Sequence, residues 1–166
     1  MLKRVLVPLD GSSLAESALD YALKIVQPDG VLTLVSAIQI PEMPIYDLYP
    51  VPMPVTQTKE ELNSAIPGAK AYLERVAERL CEACDLTVNI IVDVGDPAAL
   101  IVDVATHDQS DAIVMSTHGR SGLGRWFFGS VTNKVLMGAN CPVLVVPPKN
   151  RLQHVETAAK ENVVPA

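Results

Sequence analysis

The stretch Met115-Ser116-Thr117-His118-Gly119-Arg120-Ser121-Gly122-Leu123-Gly124-Arg125-Trp126-Phe127-Phe128-Gly129-Ser130 decides how the whole chain is read. The aliphatic run Ala112 to Met115 feeds a glycine-rich loop that ends in Gly-Ser, where helical spacing begins. Strand, loop and helix in that order are the unit from which α/β folds are built. The loop also carries chemistry. Glycines let backbone N–H groups approach an anion closely, and the unpaired amides of a helix's first turn add the positive end of its dipole. Phosphate suits such a loop, and a nucleotide is its natural carrier. The glycines are spaced G-x-x-G-x-G, the reverse of the dinucleotide fingerprint, and no Gly-Lys-Ser/Thr follows as in a P-loop.

Outward from this stretch, short aliphatic runs without period-2 polarity alternate with longer segments of helical spacing, which predicts strands buried on both faces and crossover helices. Arg4 to Leu9 is the first strand. A helix opens at Ser13 with Glu16 three residues on, a capping box, and presents Leu14, Ala18, Ala22, Ile25 and Val26 to the core. Pro28 and Gly30 end it, and Val31 to Ile38 is the second strand. Pro41 to Pro54 holds five prolines in fourteen residues, so residues 41–57 read as an irregular insertion, either a lid over a ligand or an arm to a partner. A second helix starts near Thr58 with Glu61 as its box partner, kinked or restarted at Pro67, with Leu73, Val76 and Leu80 inward. Leu86 to Val94 is the third strand. Asp96-Pro97 caps a helix that buries Ile101, Val104 and Ala105. Ala112 to Met115 is the fourth strand, Ser130 to Met137 a helix closed by Gly138, and Val143 to Val146 the fifth strand. Residues 1–148 make one domain, and the polar, Ala-rich 149–166 a flexible tail.

Five parallel strands joined by helices fit the order 3-2-1-4-5, a flavodoxin-like, Rossmann-like doubly wound sheet with helices on both faces. Ligands bind where that winding reverses, between strands 1 and 4. The segments leaving those strands are Leu9-Asp10-Gly11 and Ser116 to Gly129, so topology and loop chemistry select the same crevice. There the backbone amides of Gly119, Gly129 and Ser130 would meet phosphates, with the hydroxyls of Ser130 and Thr132 as further donors, each bond to a charged oxygen contributing about 1.5 to 3 kcal/mol. Asp10 is placed for ribose hydroxyls or adenine's amine, or serves as a turn residue before the first helix.

The loop's spacing resembles the Gly-x2-Gly-x9-Gly-Ser/Thr signature of the universal stress protein family, in its ATP-binding type, with Ser116 in the first glycine's place, Gly119 in the second, and Gly129-Ser130 as the last pair. Val5-Leu6-Val7-Pro8-Leu9-Asp10-Gly11, Val94-Gly95-Asp96-Pro97 and Cys141-Pro142-Val143-Leu144-Val145-Val146 extend the resemblance, in the family's order, over residues 2–148. It implies that Pro8 and Asp10 line a nucleoside pocket, that Met115 and Val131 add contacts, and that the main chain of Ala37 recognises the adenine edge. ATP, with magnesium or manganese on its phosphates, is the implied cofactor. Ser116 departs from glycine, yet its small hydroxyl can itself donate to phosphate. Family members often pair through strand 5, and the aliphatic edge Val143 to Val146 independently calls for a partner, so a symmetric homodimer is expected.

Composition narrows the classes. The net charge of −6 excludes a general nucleic-acid surface, and no apolar run reaches the length of a membrane helix. Three cysteines form an odd set, as in a reducing, cytoplasmic protein. Cys81 and Cys84 have a redox motif's spacing but fall at a helix end, where a thiolate is not stabilised. His118 lacks a paired carboxylate or nucleophile, and Arg120 and Arg125 either neutralise phosphate or stay solvated. With no P-loop lysine, clustered metal carboxylates or poised base, efficient hydrolysis is not expected. A nucleotide-dependent regulator of stress adaptation leads, with a downstream protein partner. A dimeric interaction module without nucleotide and a slow ATPase or phosphotransferase are the alternatives.

Overall fold

In the computed structural model, residues 1–39, 55–83, 85–117 and 129–147 are described, with side chains except at 55–63 and 83. The expectations for residues 41–54 of the Pro-rich insertion, Cys84, the loop from His118 to Phe128 with Gly119, and the tail beyond residue 147 lie outside these residues, while 55–57, expected to be irregular, are helical.

The chain forms β1 (Leu2–Pro8), α1 (Ser13–Glu16), α2 (Leu19–Ile25), β2 (Val26–Ile38), α3 (Val55–Ala83), β3 (Thr87–Val94), α4 (Pro97–His107), β4 (Ala112–Ser116), α5 (Ser130–Gly138) and β5 (Val143–Val146). All strands are parallel, in the order β3-β2-β1-β4-β5. The handedness of crossovers then dictates the layers. Steps from β1 to β2 to β3 run one way across the sheet, and right-handed connections put α1, α2 and α3 on one face. The chain then jumps back to β4 and steps on to β5, which puts α4 and α5 on the other.

Burial follows this division. Val5 and Val7 of β1 pack with Leu19 of α2 and with Leu73, Val76 and Leu80 of α3. Leu6, one residue out of phase, packs with Val35, Ile113 and Met115 against Ile101 of α4 and Val135 of α5. Leu6, Leu32, Leu34 and Ile113 are fully buried, each such side chain contributing about 1.5 to 3 kcal/mol. Among the described residues, no helix is long and apolar enough to cross a membrane.

Several local expectations are corrected. The first helix is capped by Ser12, not Ser13: Ser12 Oγ accepts from Ala15 N at 3.1 Å. With Ser12 as the cap, the third helical position is Ala15, so Glu16 completes no reciprocal box, and its carboxylate accepts from Tyr72 and Arg79 instead. That helix also breaks after one turn, where Ser17 Oγ donates to Leu14 O at 2.6 Å, a local bond that competes with helix continuation. Pro28 and Gly30 do not end a helix. The helix stops at Ile25, and β2 starts at Val26, pairing with Leu2 before an irregularity that resumes at Arg4 and Val31. Only glycine fits at position 30, since a Cβ would stand 2.7 Å from Val26 Cγ2 and 2.9 Å from Gln27 O. The second long helix begins at Val55 and passes through Pro67 without a break in assignment. Gly138 is the last helical residue rather than a left-handed cap, since Ala139 beyond it turns extended.

Candidate functional site

Strand alternation aims the site. Pro8 is in register with Val35, and Leu6 with Ile113. Side chains two apart share a face, so Pro8, Ala37 and Met115 continue the rows of Leu6, Val35 and Ile113 toward the carboxyl edge. That is the face covered by α4 and α5, and Val131, at the start of α5, packs against the same cluster. Four positions named from sequence thus converge on one patch, at the point where the winding reverses. Ser116 alternates the other way, onto the face of Val114, and is buried at 7% exposure.

Beyond β1 the chain turns at Gly11, whose φ of 83° is a left-handed value that favours glycine. Asp10 organises this turn. Its Oδ1 accepts from Ser12 N at 3.0 Å and from Ser12 Oγ at 2.6 Å, and Ser12 in turn caps α1. The turn-residue reading of Asp10 is therefore realised in the structure, with the carboxylate held beside the patch.

The end of β4 is tied more tightly than sequence suggested. Thr117 N donates to Val146 O at 3.1 Å, and Gly129 N donates to Thr117 O at 2.8 Å, so the glycine loop leaves and re-enters at one point. Thr132, buried at 3% exposure, donates from Oγ1 to Ser116 O at 3.1 Å and to Thr117 O at 3.3 Å. The Gly129 amide and the Thr132 hydroxyl, both expected to face phosphate, are instead committed to these carbonyls. The reason is local: buried carbonyls at a strand's end need donors once ladder pairing stops. What remains is the first turn of α5. Its amides at Ser130, Val131 and Thr132 have no acceptor within the helix, and the N-cap is a glycine with no side chain to offer them. Ser130 itself is exposed.

Across the same face, Asp96 caps α4 through Oδ1, which accepts from Ala99 N at 3.0 Å. Its Oδ2 accepts from Lys134 Nζ at 2.9 Å. The lysine hydrogen bond first, and the Ala99 amide second, hold the Asp96 carboxyl below the usual carboxylate range. On the opposite layer, Glu16 joins Tyr72 and Arg79, each at 3.0 Å. Burial, reinforced by the Glu16 bond, pushes the Tyr72 phenol well up. An open groove of about 200 Å³ lies there, lined by Leu19, Leu23, Val76 and Leu80 with Glu16, Asp20 and Arg79 at its rim. It is a seam between packed helices on the sheet face opposite α4 and α5, and its Glu16 and Arg79 already bond each other. Among the described residues no cluster of three or more His, Cys, Asp or Glu could hold a metal ion.

Sequence reasoning missed Thr117, whose main chain ties β4 to Val146 and to Gly129, and the Asp96–Lys134 pair. The second joins the starts of two helices distant in sequence, a pairing that no local spacing announces.

A five-stranded sheet in this order, with helices on both faces, is a flavodoxin-like α/β domain. The chain belongs to the universal stress protein family, whose model matches residues 1–147. Universal stress protein MJ0577 of Methanocaldococcus jannaschii is 32% identical over 159 residues, covering 90% of this chain and 98% of that one. Its solved structure superposes with a TM-score of 0.76 at 30% identity, covering 89% and 97% of the two chains. Universal stress protein UspA from Lactobacillus plantarum gives a TM-score of 0.71 at 26% identity over 86% and 95%. A universal stress protein solved in complex with cAMP shares the fold, with a TM-score of 0.62 at 21% identity over 88% and 97%.

Proposed function

We propose that this chain binds an adenine nucleotide, ATP with magnesium or manganese on its phosphates, as a regulatory signal in stress adaptation rather than as a substrate to consume. The supporting observation is the convergence of Pro8, Ala37, Met115 and Val131 beside the glycine-capped start of α5, at the sheet's switch point. In this reading the apolar residues hold the adenosine and Asp10 meets its ribose. The amides of Ser130, Val131 and Thr132 and the Ser130 hydroxyl take the phosphates. Gly129 contributes by lacking a side chain, Thr132 by bracing the loop's base, and Ser116 through its main chain. A relative of the same fold was solved with cAMP, an adenine nucleotide.

The chain acts as a homodimer through β5. Leu144 on that edge is 40% exposed, and Leu136 and Met137 of α5 are exposed near it. Cys81 and Cys141 are unpaired thiols, as a cytoplasmic protein would keep them.

Calorimetry tests the nucleotide reading. A Gly129→Val side chain would fill the space over the first turn, so ATP affinity should fall by about tenfold or more, the loss of one charge-assisted bond. Ser130→Ala should weaken it less. If both variants fold and bind ATP as the unaltered protein does, the phosphate assignment is wrong. Mass spectrometry of ligand released on denaturing the purified protein should find ATP or ADP near one per chain.

A further inference from the structure

On α5, Lys134 stands one turn below Ser130 on the same stripe. Helical Cα–Cβ bonds tilt toward the N-terminus, which carries a side chain at this position up toward the first turn. Its ammonium indeed reaches the carboxyl edge of the sheet, 2.9 Å from the residue that caps α4. The pair therefore spans the N-terminal ends of the two helices that cover the face of Pro8, Ala37 and Met115. Neither α4 nor α5 carries another lysine or arginine.

The lysine is not needed for the cap it touches. Asp96 caps α4 through Oδ1, whereas Lys134 takes Oδ2. Both side chains are substantially exposed, 62% for Lys134 and 46% for Asp96, and an ion pair so wetted is weak and exchangeable. A carboxylate at the rim of an anion site also repels its ligand unless neutralised. Resting on the nucleotide reading above, we propose that Lys134 is a phosphate-facing cation of this site, that Asp96 holds its ammonium at the rim, and that a polyphosphate competes for it. The lysine then sets a preference for longer phosphate chains. The nucleoside end is indifferent to it.

The experiment is calorimetric titration of ATP, AMP and adenosine into the full chain and its Lys134→Met, Lys134→Arg and Asp96→Asn variants, at low and moderate salt, with melting temperatures as a folding control. Lys134→Met should weaken ATP about 3- to 10-fold, as befits one exposed charge, leave adenosine unchanged, and flatten the salt dependence of ATP binding. Lys134→Arg should restore ATP affinity. Asp96→Asn keeps a good helix cap and should strengthen ATP about 2- to 5-fold by freeing the lysine. The proposal is overturned if Lys134→Met weakens ATP and adenosine alike, if it leaves ATP unchanged, or if Asp96→Asn weakens ATP. An unaltered chain that binds ATP while its variants behave identically removes only the lysine assignment. An unaltered chain that binds none of the three removes the nucleotide reading as well.

Discussion

Asp111 shows what one exposed carboxylate does at the base of the sheet. It accepts from Arg4 N at 2.8 Å and Lys3 N at 2.7 Å, and those two amides, Arg4's first, hold its carboxyl below the ordinary value of 3.8. A depressed carboxyl stabilises the fold above its unfolded pKa, and the contribution disappears as pH falls through the folded one. Asp111→Ala should therefore lose about 1 kcal/mol near neutrality, discounted for solvent exposure, and the difference should shrink in acid, as pH falls through the folded carboxyl's lowered value. Urea unfolding near neutrality and in acid measures it. A difference that persists in acid would assign the loss to something other than the charge. Asp10 and Thr117 mark the limit of reading single residues: that Asp10 builds a turn was one of two legible roles, whereas the ties from Thr117 to Val146 and Gly129 run through main-chain atoms that every residue possesses.

At the scale of elements, buried strands and capped helices were legible because their signals are local. Asp96-Pro97 caps α4, and β5 spans the expected residues. Where the reading slipped, tertiary pairing had overridden local punctuation. Pro28-Asp29-Gly30 has a turn's composition, but pairing with Leu2 draws it into β2, and position 30 stays glycine for want of space. The long α3 makes the same point. At 1.5 Å per residue its 29 residues run about 43 Å, and its buried side chains, Leu73, Val76 and Leu80, all lie in the C-terminal half, with residues 64–70 of the N-terminal half exposed or half-buried. Pro67 lies in that half, exposed, where it costs a helical bond without disturbing the packed turns of Leu73, Val76 and Leu80. Pro67→Ala should raise stability by about 1 to 3 kcal/mol. A thermal melt that moved down instead would mean the proline's geometry is used.

For the whole molecule, the site-bearing face and the proposed dimer edge meet at α5, which starts beside the patch and ends near exposed Met137. A charge on the edge strand should block pairing between copies. Leu144→Asp is thus expected to run as a monomer of 17.8 kDa in light scattering, where the unaltered protein runs at twice that mass. An unaltered chain that is monomeric would remove the β5 assignment. The strand order also bears on how the molecule assembles as it is made. β1 is synthesised first yet sits at the centre, so one of its edges finds β2 early, while the other waits for β4, with contacts reaching from Lys3 to Asp111. Such distant pairing carries a loop-closure cost and is slow. Until Asp111 and the strand after it leave the ribosome, the nascent chain holds an open apolar seam beside Val5 and Leu6, the natural moment for a chaperone to attend it.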